Sequence, residues 1–406
     1  MKKRNILLGL ALAFCFTACY DLDKMPEGVL STAEPFRSTG EIRNYIDRYY
    51  EFGVRTQGFM AGGGGGIAGN DVNSDNLASA AVNSRLMGLT SLSNAVALDN
   101  YTHIRNINFL INNAGDCPEK GSVEYNHLMG EAYYFRAWFY YSMFSDYGRL
   151  AWVDTPLEPN LEVMMLPRES RTFIADKILA DLDMAISLMK EQNNSSSMRL
   201  HKDVARALKS EVALFEATWE KYHKGTAFVP GGPGWPGKAE DIQGFDIDSS
   251  INHFLDEAMK SSKELGDKLV DNLVENTDTP EGQNASLASI NPYYTMFCDK
   301  DMSGYSEVLM YRAFDKDKAN VTHNIQMQLQ RNGGGTGWTR GLVNSFLMRN
   351  GLPIYAAGSG YNPEWENQGI KATLQDRDSR IQIFTKMDGS VENYTSDEIG
   401  RASCRE

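Results

Sequence analysis

Apolar residues recur at gaps of three and four through much of the first 270 positions, and that spacing predicts helices. Ile174, Ile178, Leu182, Ala185 and Met189 form one stripe, with Ser170 or Thr172 placed to cap its N-terminus. A second stripe runs through Val204, Leu208, Val212, Phe215, Trp219 and Tyr222. The polar stretch NNSSSMR (193–199) turns the chain between them, so the two segments read as an antiparallel helical hairpin. Residues 41–52 and 101–114 each carry an apolar face, and a further helix is expected from about Ser250 to Leu265, with Ile251, Phe254, Ala258 and Leu265 on one side. Helix pairs in series predict a tetratricopeptide-like stack in which each hairpin buries its face on the next. The strict repeat consensus is absent and the spacing between hairpins varies.

The segment GEAYYFRAWFYYSMFSDYG (130–148) is crowded with aromatics. At about fifteen residues it is too short for a membrane span, which needs roughly twenty, and it contains Arg136 and Asp146. Ala132, Phe135, Phe139, Met143 and Tyr147 form one stripe, which Tyr133, Trp138, Tyr140 and Phe144 widen. A helix sandwiched between neighbours is the expected result.

Between and after the helices the pattern breaks. Residues 61–76, 228–244 and 330–341 are glycine-rich and polar, and beyond 270 short β-like runs such as EVLMYRAF (307–314) sit among loops. The fold class is therefore mainly α: a helical-hairpin superhelix with a loop-rich irregular region containing short β segments. Long excursions from a rigid scaffold are where binding residues are expected.

The N-terminus reads as a processed signal over residues 1–18. MKKRN supplies a cationic start, ILLGLALAFCF an apolar core, and Thr17-Ala18 a small-residue approach to Cys19. Cys15 follows Phe14, too large for a peptidase pocket, so Cys19 is the expected lipidation site, carrying diacylglycerol and an amide-linked chain such as palmitate. Phe16 stands where lipoprotein boxes usually hold Leu, and the bland alternative is an ordinary secretory signal. Two or more acyl chains anchor a protein stably. Removing the signal takes away Lys2, Lys3 and Arg4, moving the formal charge from −13 to −16. So acidic a chain is repelled by phosphate backbones, which excludes nucleic acid as the expected partner. The remaining Cys117, Cys298 and Cys404 make no disulfide framework and no metal spacing. EIGRASCRE (398–406) fits no element and is expected to be a non-native tail.

Candidate chemistry is sparse. No glycine run continues into Gly-Lys-Ser/Thr, and there is no H-E-x-x-H or G-x-S-x-G. Asp299, Asp301, Ser303, Gly304 and Glu307 fall at calcium-loop positions, but Met310 replaces the bidentate Glu at position twelve. A surface turn is the simpler reading, with a structural calcium ion as the alternative and no other cofactor expected. A glycosidase pair is defined by separation in space, so counting carboxylates leaves that reading open. Trp235 and Trp338 lie in glycine loops, where an indole face can stack on a sugar ring while neighbouring Asn, Asp and Arg meet its hydroxyls. The alternative is that each Trp pins its own loop to the core. Tyr293 and Tyr294 are similar candidates, and Asn73 is a polar one.

Several motifs occur together in one order: Ile104-Arg105-Asn106, Gly130-Glu131-Ala132, Arg136-Ala137, Tyr147-Gly148 and Leu166-Pro167-Arg168. NSFLMRNGLPI (344–354) and LQDRDSRI (374–381) follow, with Asn350 in place of Asp and Ser379 in place of Pro. The set resembles the SusD/RagB family of nutrient-binding outer-membrane lipoproteins of Bacteroides-type bacteria, from Cys19 to about Ile381. Arg149-Leu150-Ala151-Trp152 departs from the family's usual acidic or polar step. The resemblance implies a right-handed tetratricopeptide-like superhelix over 19–270 and a loop-rich region over 271–397. The latter is expected to be incomplete, because the family's closing segment is missing. It also implies surface exposure through the lipid on Cys19, with Asp21 and Asp23 resembling an export signal. The implied partner is a SusC-like TonB-dependent β-barrel transporter, and the implied ligand a glycan, or a peptide in some branches, bound without chemistry. Binding residues vary across the family, so Asn73, Trp338, Tyr293 and Tyr294 stand on loop position and chemistry alone. A surface glycosidase and a helical adaptor that binds no ligand are the competing readings.

Overall fold

The computed structural model describes residues 35–51, 74–79, 81, 83–84, 87–89, 100–157, 165–192, 197–277, 291–299, 301–313, 336–385, 391–394 and 399–401. Six helices make the scaffold: α1 (Thr39–Asp47), α2 (Asn100–Asn113), α3 (Val123–Tyr147), α4 (Arg171–Leu188), α5 (Lys202–His223) and α6 (Ile247–Leu269). Caps written in the sequence start four of them. Ser38, Ser122, Ser170 and Asp246 each accept a hydrogen bond from the backbone N–H three residues on. Of the two expected caps for α4, Ser170 is the one used, while Thr172 donates to Glu220 at 2.7 Å.

Each long helix packs on its predecessor, α2 on α3, α3 on α4, α4 on α5 and α5 on α6, giving the tetratricopeptide-like stack that the spacing predicts. α3 is buried from Tyr125 to Phe144 on nearly every side, because α1 and α2 cover one flank and α4 the other. Two expected stripes end early: Tyr147 is 41% exposed and Tyr222 76%, since each lies in the last turn, beyond its partner helix. No described helix is long and apolar enough to cross a membrane.

The ordered motifs have physical causes in this stack. A Cβ on Gly130 would lie 2.6 Å from Met189 Cγ and 3.0 Å from Met189 N, so only glycine lets α3 approach the end of α4. Gly148 caps α3 at φ 69°, and a Cβ there would meet the Arg171 guanidinium at 2.7 Å. Arg171 lies 4.3 Å from the Phe144 ring centre and 4.1 Å from that of Trp219, and pairs with buried Glu216 at 2.7 Å. Arg136 clamps Asp181 of α4 through two bonds of 2.6 and 2.7 Å and donates to Asn108 of α2 at 2.9 Å. Three helices are thereby fixed by one side chain. Glu131 receives Arg199 bidentately at 2.7 Å and the Tyr50 hydroxyl at 2.8 Å, tying α3 to the chain after α1 and before α5.

Beyond α6 come short pieces: α7 (Pro292–Cys298), α8 (Arg340–Ser345), α9 (Ile370–Thr373) and α10 (Ser379–Phe384). Strand β1 (Leu77–Ser79) pairs antiparallel with β2 (Thr336–Trp338), and β3 (Val391–Tyr394) with β4 (Ile399–Arg401). Two expectations are corrected here. Within the 307–313 run Glu307 lies in a turn, and the only pairing among the described residues is an isolated parallel bridge, Met310 to Ser197. Residues 399–401, expected to form no element, supply β4; backbone pairing needs no side-chain pattern.

Candidate functional site

Trp338 ends β2, directly opposite Leu77 of β1, so pairing brings two glycine-rich excursions some 260 residues apart in sequence onto one edge. The junction is tight. Thr339 N donates to Asn76 O at 2.8 Å, the Thr339 hydroxyl donates to Asp75 O, and the same hydroxyl caps α8 by accepting from Leu342 N at 3.1 Å. Trp338 is thus held in a strand rather than a free loop, and it remains 37% exposed. Phe346, after α8, lies parallel to the indole with ring centres 6.5 Å apart and planes 9° apart. Polar residues flank Trp338 along the two paired segments. Asp75 is exposed, Ser74 and Asn76 are half-buried, and Arg340 is exposed and ion-paired with Glu366. Such a set, an aromatic plane rimmed by an acid, an amide and a guanidinium, can stack a pyranose and bond its hydroxyls.

Arg377 supports the Phe346 ring beside the indole. Arg377 is fully buried and donates from Nη2 to Phe346 O at 2.8 Å and Val343 O at 2.5 Å, fixing the backbone behind Trp338. Burial pushes the Arg377 guanidinium below its ordinary value. Phe346 and Arg377 were not singled out by sequence reasoning. The R-D-S-R turn flagged the latter only as a family motif, and nothing in the sequence marks Phe346 as the ring beside an indole.

Tyr293 and Tyr294 lie elsewhere, on α7, half-buried. Tyr293 meets Phe297 edge-on at 5.2 Å and Phe384 at 6.1 Å, and Tyr294 lies 6.0 Å from Phe384. Phe297 and Phe384 are 58% and 38% exposed, so this cluster carries apolar surface of its own. None of these ring contacts involves Trp338. Asn73 and Cys19 lie outside the described residues, though Asn73 adjoins the β1 approach at Ser74. Trp235 is half-buried under Arg149, whose guanidinium sits 5.5 Å from its ring and donates to Pro236 O, so that indole pins its loop to the end of α3.

The calcium-like loop uses its oxygens internally. Asp299 accepts from Asp301 N and the Tyr305 hydroxyl, Asp301 accepts from Ser303 N, and Glu307 accepts from Val274 N at 2.7 Å. Among the described residues no three His, Cys, Asp or Glu side chains come together as a metal set.

Residues 73–214 match the family model SusD-like_3, described as starch-binding and associating with the outer membrane. A SusD-like protein of Bacteroides fragilis NCTC 9343 superposes with a TM-score of 0.52 at 22% identity, over 87% of this chain and 61% of that one. A SusD-like carbohydrate-binding protein of the same strain gives 0.52 at 13% identity, over the same shares. At these identities the likeness shows the fold, and this chain spans 61% of each relative's length. No curated protein matches it. Over residues 73–214 the chain is thus similar to the SusD-like family, and its helical-hairpin fold is the one that SusD-like proteins share.

Proposed function

We propose that the protein is a cell-surface lipoprotein that captures a glycan at the Trp338 edge and passes it to a SusC-like TonB-dependent outer-membrane transporter. The observation that carries this reading is the part-exposed Trp338 indole, held on a strand pair whose flanking residues include Asp75, Asn76 and Arg340. The description of the matched family, and the carbohydrate binding named for the second relative, point the same way. In this reading residues 19–270 are the helical platform and 271–397 bring the ligand-facing loops. Asn73 extends the polar rim, and Tyr293 and Tyr294 form a separate aromatic station. Lipid on Cys19 holds the protein at the outer membrane.

Binding without chemistry fits the carboxylates near Trp338. Glu366 is held by Arg340 and accepts the Tyr361 hydroxyl at 2.6 Å, which favours a fixed recognition group over a general acid. Titration calorimetry against neutral oligosaccharides and peptides, with chromatography of the recovered ligand, tests the reading. Binding with intact ligand is expected. Shortened products would instead make it a glycosidase, and barrel association with no ligand bound would make it an adaptor. Cys19→Ala is expected to abolish palmitate labelling.

A further inference from the structure

The helical scaffold holds a concavity to which neither Trp338 nor Tyr293 and Tyr294 contribute. Tyr134 and Trp138 lie one turn apart on α3 and form one wall, α5 forms the facing wall, and Tyr50 and Tyr311 close the sides around about 590 Å³. That volume lies within the range of about 300–1,000 Å³ typical of small-ligand sites. The polar groups are few: Glu51, Glu211 and Arg312. One Glu211 oxygen already accepts the Tyr141 hydroxyl at 3.2 Å, which orients its carboxylate.

The lining selects its ligand by chemistry. Two acids against one arginine disfavour an anion. Tyr50, Trp138 and Tyr311, with Tyr134 buried in the wall behind them, ask for a ligand with flat apolar faces, while the carboxylates and guanidinium ask for donors and acceptors at its edge. A pyranose with all-equatorial hydroxyls meets both demands, because its C–H bonds cover the two faces and its hydroxyls ring the edge. An axial hydroxyl interrupts one face.

We propose that this cleft is a second carbohydrate subsite, for a short gluco-configured oligosaccharide, built on the helix stack and independent of Trp338. It rests on the reading that the protein binds carbohydrate and adds a second station to it. The two stations then make the protein bivalent toward a long chain, raising its apparent affinity for polymer over trimer.

The test is calorimetry with cellotriose, laminaritriose, maltotriose and mannotriose on four proteins: wild type, Trp338→Ala, Ala207→Trp and Arg312→Ala. Ala207 lines the cleft from α5, so a tryptophan there fills it, and Arg312 is exposed, so its loss leaves the core intact. Wild type is expected to bind two molecules of at least one gluco-configured trisaccharide, and Trp338→Ala and Ala207→Trp one each. Arg312→Ala is expected to weaken the cleft site on the order of tenfold, the usual scale for a hydrogen bond to a charged group. If Trp338→Ala removes all binding and Ala207→Trp removes none, the cleft is overturned and the Trp338 site stands. If Ala207→Trp removes a site and Trp338→Ala changes nothing, the Trp338 reading fails and the cleft stands. No heat with any trisaccharide overturns both.

Discussion

Replacing Arg136 with methionine removes the hydrogen-bonded partner of a buried carboxylate. Asp181 and Arg136 have side chains 6% and 7% exposed, joined by two bonds of 2.6 and 2.7 Å. Burial lifts the Asp181 carboxyl above its ordinary range, and the guanidinium works against that. Breaking a buried pair from one side costs about 3–5 kcal/mol, because the remaining charge keeps its desolvation penalty and loses its attraction. Arg136→Met also strands the Asn108 oxygen that accepted from it at 2.9 Å, a loss of about 1 kcal/mol. The single variant is therefore expected to lose about 4–6 kcal/mol in urea unfolding followed by circular dichroism at pH 7. Arg136→Met with Asp181→Leu removes both charges and is expected to recover most of that loss. A single variant within 1 kcal/mol of wild type, or a double variant no better than the single, would refute the claim that this pair pins α2, α3 and α4.

Four further outcomes follow from the same structure. Glu216 is buried against Arg171, and burial pushes its carboxyl from 4.5 to about 7. A raised acid adds stability that is fully present below the unfolded value and lost as pH rises toward 7. The loss is about 3 kcal/mol by the proton linkage, at about 1.4 kcal/mol per pH unit. Glu216→Gln should flatten the fall in unfolding free energy between pH 4.5 and 7, measured against wild type. Gly130→Ala forces Met189 to move and is expected to cost about 1–3 kcal/mol in the same assay. Trp338→Ala, on an exposed edge, should leave the melting temperature within a degree or two while weakening glycan binding by about tenfold or more. Arg377→Met frees the backbone of Phe346 and should weaken glycan binding alongside a measurable loss of stability; binding unchanged in a destabilised variant would show that Arg377 does not position the site.

The helical stack was legible because its information is local. Gaps of three and four named the buried faces of α4 and α5, and Ser170 marked the start of α4, whereas α6 begins at Ile247, three residues before the expected Ser250, because the Asp246 cap carries no apolar signal. The ends were less legible: Tyr147 and Tyr222 continue their stripes in sequence yet face solvent, since burial depends on where the neighbouring helix stops. The site was half legible. Trp338 stood out as an indole among glycines, but its strand partner lies 261 positions away at Leu77, and no periodicity encodes that pairing. Phe346 and Arg377 became visible only as the ring beside the indole and the guanidinium holding that ring's backbone. The glycines were read as loop markers, although Gly130 and Gly148 serve close contacts between helices.

The central claim is that a carbohydrate stacks on the Trp338 indole. Titration calorimetry of wild type and Trp338→Ala with a neutral oligosaccharide that wild type binds measures it most directly. The account predicts saturable binding by wild type and the loss of that site, about tenfold or more in affinity, in a variant whose melting curve is unchanged. Equal affinity and stoichiometry in the two proteins would contradict it.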